Sequence, residues 1–306
     1  MIKIVTLTKK GSETDFEKEY IYDFLFSKLT EIQNHDHRLI IYATNNNGIV
    51  PAVNVYPTDV FLHLSNENLK YDYYFLNKSN TVLRSYFNPL IKHQKCFSIP
   101  LGYQSGFRNI ENLKGENNRY MWSFIGQMKS FRKPMYDAFQ KYEPNYASFS
   151  QKWNSQSLSF DEVKQIYLDT AFAPCPFGSV HADTIRVMEV LEWGCIPVVV
   201  NFLGNDYYKY IYGDHPFVVG RNWDDAAQKV AEIFENKMLL KKKQTETASW
   251  YEKFKDNLTD DVVSIVSGRF NNLKSSQFEY QNAGRKDIIM KLRYYYHFHI
   301  KTKTIY

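Results

Sequence analysis

The run Ile-Pro-Val-Val-Val at residues 196–200 lies one helix length beyond a second apolar run at residues 171–174. Aliphatic, β-branched residues without alternation are what a strand carries when both of its faces are covered, as in a parallel sheet. Pro174, Pro176 and Gly178 break the earlier run into a loop. Asp183 reads as an N-cap. Beyond it, residues 184–193 place Ile185, Met188, Leu191 and Val187, Val190 at helical spacing until Gly194 stops the helix. Residues 171–200 therefore predict one βαβ unit. Its loop sits at the carboxyl end of the first strand, the edge at which open α/β sheets hold ligands.

That loop suits an anion. Gly178 and Ser179 let backbone N–H groups come close to it, and a helix N-terminus beyond them adds partial positive charge. Arg186 and Glu189, three residues apart, reach the same side of the helix. An arginine there can pair with phosphate, and a glutamate can accept both hydroxyls of a ribose. The plainer alternative is a surface Arg–Glu pair on a core helix.

A chain of 306 residues, 44% hydrophobic and 17% aromatic, has material for two α/β halves. Its three cysteines, Cys96, Cys175 and Cys195, are too few and too scattered for a disulfide framework or a metal site, and read as buried thiols in a reducing compartment. Residues 1–8 read as a first strand rather than a signal peptide, and no window has the apolar length of a membrane span. These features predict a soluble, cytoplasmic protein. The formal charge of +5 comes from residues 285–306, which hold six basic residues and one acid, so the remainder balances to zero.

Strands are predicted at 1–7, 39–43, 59–64, 81–86 and 96–101, with a helix over 15–32. Such alternation argues for a parallel sheet covered on both faces. Residues 109–119, rich in Asn, Glu and Lys, read as a linker. A second sheet then opens with a strand at 120–125, Gly126, a basic loop carrying Lys129, Arg132 and Lys133, and a helix over 134–142. This is a second anion-binding arrangement, with a solvated basic loop as the plainer reading. Further strands fall at 146–149 and 217–219. Helices fall at 161–168 (opened by Ser159 or Asp161), 223–234, 245–254 and 259–270. The domain reading is 1–115, 116–255 and a helical segment with a basic, aromatic tail over 256–306. The tail leaves three readings open: contact with an anionic membrane surface, packing on the body of the protein, and, least supported, nucleic acid.

The pattern Pro176-x-Gly178, then Asp183-Thr184-x-Arg186-x-x-Glu189-x-Leu191-x-x-Gly194-Cys195-Ile196-Pro197-Val198-Val199, resembles the signature of exostosin-type glycosyltransferases, including bacterial capsule and lipopolysaccharide enzymes and the ribitol xylosyltransferase. Residues 60–68 resemble the family's HLSDE element, with Asn66 where Asp is common, followed by Glu67. Residues 82–89, containing Arg84, and 98–107 resemble its R-x-Y … P-L-G-Y pattern. The resemblance implies a GT-B fold: two Rossmann-like domains facing a cleft, with C-terminal helices crossing back to the first. It implies that Glu189 binds the nucleotide ribose, that Arg186 lies near the donor, and that the turn at Gly126 approaches the diphosphate. Lys129, Arg132 and Lys133 would then balance the leaving charge. Many retaining GT-B enzymes carry a second acid eight residues before the ribose Glu; His181 stands there instead, which fits an inverting enzyme.

The expected activity is metal-independent transfer, with inversion, of a sugar from a nucleotide donor, uridine by resemblance. The acceptor would be a hydroxyl of a glycan or lipid-linked glycan in cell-surface polysaccharide or lipopolysaccharide synthesis. The donor is the substrate, and no further cofactor, metal or nucleic acid is called for. The metal-binding Asp-x-Asp of the other large glycosyltransferase architecture does not occur in the sequence. The general base is read as Glu67 first, with His181 and Asp183 as competitors and His63 as a core residue. Two other classes stay open: a GT-B nucleotide-sugar epimerase, and a non-catalytic assembly protein that binds nucleotide sugars.

Overall fold

The structure, a computed structural model, describes residues 3–6, 16–29, 38–43, 54–64, 67, 80–91, 93–111, 118–129, 132–150, 158–178 and 181–301. Two five-stranded parallel sheets form its frame. The first comprises β1 (Lys3–Thr6), β2 (Arg38–Ala43), β3 (Val60–Leu64), β4 (Thr81–Ser85) and β5 (Cys96–Ile99), laid side by side in chain order. The second comprises β6 (Tyr120–Gln127), β7 (Asn145–Ser150), β8 (Thr170–Pro174), β9 (Ile196–Val200) and β10 (Val218–Gly220), in the order β10-β9-β8-β6-β7. The strand order thus reverses in the second sheet. There β6 and β8 are neighbours and the chain winds outward from them in both directions, which makes their carboxyl ends a topological switch point. The first sheet shows no reversal among the described residues.

The strands follow their sequences. β8 and β9 are buried at every position, as unalternating apolar runs should be, and so are β3 and β4 although they carry His63 and Arg84, whereas the edge strand β1 is largely exposed. Ser159 caps α3 (Phe160–Leu168) through a reciprocal capping box with Glu162, and Asn222 caps α6 (Trp223–Glu235). Helix α2 spans Lys133–Phe139 and carries Pro134 in its first turn.

Three expectations are corrected. The helix predicted over 15–32 is α1 (Glu19–Leu25), wound as a π-helix. The short helix α4 (Arg186–Glu192) has Ile185, not Asp183, at its N-cap position, because the Asp183 carboxylate accepts the N–H of the adjacent Thr184 at 2.9 Å. The two helices predicted at 245–254 and 259–270 are one, α7 (Lys237–Val266), since no glycine or proline interrupts residues 237–267 and Gly268 follows at φ +73°. A short helix in the aromatic stretch, α5 (Lys209–Tyr212), was not anticipated. Residues 44–50, 112–117 and 302–306, which include an expected loop, most of the expected linker and the end of the tail, lie outside the described residues.

One apolar core runs through both halves, taking in Tyr20 and Phe24 of α1, Leu62, Leu83, Val187, Leu191, Leu258 and Ile265. Helix α7 reaches from α6 to α1, where Lys28 meets Asp260 at 2.7 Å. Helix α8 (Gln277–Lys286) then returns to the first sheet at β5, as expected of a GT-B chain, and α9 (Ile288–Tyr295) follows it, with Arg293 donating to the Leu203 carbonyl of the second half at 2.9 Å. Within α8, the buried Gln281 side chain accepts from the Ser98 N–H (2.9 Å). It also donates to the Ser98 and Tyr210 carbonyls (2.7 Å each). Among the described residues, no helix is long and apolar enough to cross a membrane. Gln281→Leu would leave three backbone groups at this seam without their partner, and is expected to lower stability by about 2–3 kcal/mol in urea unfolding.

Candidate functional site

The carboxyl ends of the two sheets face one another across a cavity of about 330 Å³. Ligand pockets start at about that size. Glu67 follows β3, Tyr86 follows β4, and Leu101, Gln104 and Phe107 follow β5. From the other side come Gly126 and Gln127 at the end of β6, Ser150 at the end of β7, Gly178 beyond β8, and Arg186 and Glu189 on α4. Lys129, Arg132, Asp183 and Thr184 complete the polar wall.

Arg186 and Glu189 are buried in the cavity wall, not an exposed pair on a core helix. The Arg186 guanidinium stacks over the Phe124 ring at 4.5 Å and donates through Nη2 to the Ile125 carbonyl at 2.7 Å. Among the described residues its Nε has no hydrogen-bond partner. The guanidinium fits because residue 126 is glycine: a Cβ at Gly126, whose φ is +150°, would stand 2.4 Å from Nη2. Arg132 is equally buried. It donates through Nη1 to the Gln127 carbonyl (3.0 Å) and through Nε and Nη2 to the Phe177 carbonyl (3.3 Å each). Burial, helped by the like charge of Arg186, pushes its pKa down to about 9, with Glu67 acting in the opposite direction. Two guanidiniums that raise one another's cost are an arrangement that an anion relieves.

The carboxylates show the converse. Burial pushes Glu189 up to about 7, against the pull of Arg186 and of a hydrogen bond from the Gln104 backbone. Burial likewise pushes Asp183 up to about 7, opposed by the backbone of Thr184 and Leu101. Glu67 is half-buried, and its Oε1 accepts the His181 N–H at 3.2 Å, tying the loop after β3 to the loop after β8.

Several expected site residues sit elsewhere or act differently. His181 is fully buried outside the cavity lining, ringed by Tyr86 (4.9 Å), Tyr207 (4.8 Å), Phe298 (5.5 Å) and Phe202 (5.7 Å) between ring centroids. Its pKa falls well below the usual value through burial, then the charge of Arg84. Arg84 is fully buried in β4, opposite His63 of β3, and does not line the cavity. Lys133 is exposed and paired with Asp137 at 2.6 Å. The N–H of Gly178 is turned to the His181 carbonyl (3.0 Å) rather than to the cavity. What Gly178 supplies is the missing side chain, since a Cβ would meet Glu67 Oε1 at 2.5 Å. Ser179 lies outside the described residues.

Gln104, Gln127, Ser150 and Tyr167 line the cavity without having been anticipated. Gln104 had a signal, being the residue after the Pro-Leu-Gly-Tyr run, where Gly102 (φ +88°) passes beneath the Tyr20 ring. Ser150 had only its place at a strand end.

No protein-family model matches this chain, and no curated protein does. Solved structures do resemble it. An α1,3-fucosyltransferase with GDP superposes with a TM-score of 0.53 at 14% sequence identity, covering 90% of this chain and 92% of its own. A DNA-modifying β-glucosyltransferase, studied with and without its substrate uridine diphosphoglucose, superposes with a TM-score of 0.52 at 10% identity, covering 88% of this chain and 99% of its own. At such identities the likeness is one of fold. The chain has the GT-B architecture of two parallel α/β sheets.

The raised carboxyls have a consequence for stability. Between pH 4.5 and about 7 the native protein keeps a proton on Glu189 that the unfolded chain has lost. Stability therefore falls as pH rises through that window, and the full penalty applies above it. Glu189→Gln is expected to be more stable than the parent at pH 8 by ~1–3 kcal/mol. The difference should close at low pH, read by urea unfolding at several pH values.

Proposed function

We propose that this chain is an inverting glycosyltransferase that uses a nucleotide diphosphate sugar, UDP-linked as the exostosin-like pattern implies, and a glycan hydroxyl as acceptor. The observation that carries the reading is the convergence of Arg186, Arg132 and Lys129 with Glu189 on one cavity at the switch point of the second sheet. Phosphates call for the first three and a ribose diol for the last. The fold neighbours, one with GDP and one with uridine diphosphoglucose as substrate, support this class of ligand.

In this reading Arg186 meets the diphosphate with its unpartnered Nε, and Arg132 and Lys129 balance the charge that grows on the leaving oxygen. These side chains supply the compensation that other architectures take from a metal. Glu67, from the first half, takes the acceptor hydroxyl proton. The acceptor oxygen then attacks the anomeric carbon from the face opposite the diphosphate, and the departing oxygen leaves with the bonding electron pair. Asp183 holds the Thr184 N–H and positions the loop. His181, walled in by rings, serves as that loop's anchor rather than as a base.

The direct experiment incubates the protein with a panel of nucleotide sugars, with and without glycan acceptors, and measures free nucleotide and product stereochemistry. Acceptor-dependent release with inversion is expected. Epimerised donor without acceptor, or tight binding without turnover, would replace the proposal with one of its two rivals. Glu67→Gln should abolish turnover while nucleotide affinity stays within about twofold. By calorimetry, Arg186→Ala and Gly126→Ala should each weaken UDP binding by ~10–100-fold, since each removes or displaces a charge-assisted donor.

A further inference from the structure

The C-terminal helices carry apolar side chains on two opposite faces. On the inner face Met290, Tyr294 and Phe298, four residues apart, are buried, and the Phe298 ring lies against His181. On the outer face Ile288, Ile289, Leu292, Tyr295, Tyr296 and Ile300 are 71, 63, 65, 53, 57 and 49% exposed. Their spacing places them on one stripe of α9 and the turn of π-helix that continues it, Tyr296–Lys301. Packing of the tail on the body therefore accounts for one face only. A contiguous apolar stripe left in water marks an interaction surface.

The charge around the stripe selects its partner. Arg285 and Arg293 turn to the body, donating to the Cys96 and Leu203 carbonyls, which leaves Lys286 and Lys291 beside the stripe against a single acid, Asp287. Asp287 caps α9 by accepting the Met290 N–H at 3.1 Å. A second copy of the chain would bring one such basic margin against another. Nucleic acid would use the cations and leave the aliphatic side chains in water.

We propose that this stripe docks on an anionic phospholipid bilayer, with α9 lying in the plane of the interface. Ile288, Ile289 and Leu292 enter the boundary between headgroups and acyl chains, Tyr295 and Tyr296 sit at headgroup depth, and Lys286 and Lys291 reach the lipid phosphates. The opposite face of the same segment packs on His181, whose backbone N–H is held by Glu67 at the cleft, so docking would keep the cleft near the bilayer surface.

The test is flotation of the full chain with vesicles of phosphatidylcholine alone and of phosphatidylcholine with one third phosphatidylglycerol. The protein is expected to float with the anionic vesicles, to do so far less with the neutral ones, and to be released by high salt. Ile288→Glu with Leu292→Glu, and separately Lys286→Glu with Lys291→Glu, should each cut binding by ~tenfold or more. Thermal unfolding of these variants should match the parent, because none of the four side chains lies in the core. No flotation with anionic vesicles, equal flotation with both kinds, or undiminished binding by the folded variants would overturn the proposal. So would a dimer in gel filtration that Leu292→Glu dissociates while the parent ignores vesicles.

Discussion

Beyond the core that each sheet closes for itself, around Phe61 and Val82 in the first half and Trp122, Phe172 and Val198 in the second, the two halves of this protein share a third. One continuous apolar seam, running from α1 through β3 and β4 to α4 and α7, is buried jointly by both halves and the C-terminal helices. Burial of that size is the main favourable contribution to folding. It fixes the halves face to face, and the space left between them lies at the strand ends. Side chains that sit there are screened from water by the seam yet open onto a cavity. Arg186, Arg132, Asp183 and Glu189 are in that position: buried, charged, and lining a void.

Such a placement is costly in isolation. A buried ion needs a partner, and these groups only partly satisfy one another: both carboxyls are raised to about 7 and one guanidinium is depressed. Titratable groups held so far from their ordinary behaviour gather at functional sites. The strain is local to the switch point of the second sheet, while the seam polar groups around Gln281 and Glu192 are well satisfied. The Glu192 carboxylate takes the Tyr251 hydroxyl (2.6 Å) and the Asn109 N–H (3.0 Å).

Much of the architecture was legible because burial on both faces leaves a plain mark. The run at 196–200 needed no periodicity to be recognised as an inner strand, 81–85 was read from its alternation, and Ser159 announced α3. That Gly126, Arg186 and Glu189 meet on one cavity was only half legible: the residue pattern alone left Arg186 and Glu189 open as a surface pair, and the resemblance to a known signature singled them out. What the sequence could not convey was direction. Whether the Gly178 N–H faces the cavity or the His181 carbonyl depends on a turn that many sequences share. Asp183 looks like a cap at any helix start, and its true partner is one residue away. His181 lies in the pattern of a site, but the rings that seal it come from residues 86, 207, 202 and 298, which no local window brings together.

Helix α7 runs without interruption for 30 residues, a rod of ~45 Å at 1.5 Å per residue. It leans on α6 at one end and on α1 at the other. Swinging one half away from the other would require that rod to bend, and bending at a point without proline, glycine or a bulge breaks backbone hydrogen bonds. The protein is therefore built as a clamp with a stiff spine. One tie across its mouth is the hydrogen bond from the His181 N–H to Glu67.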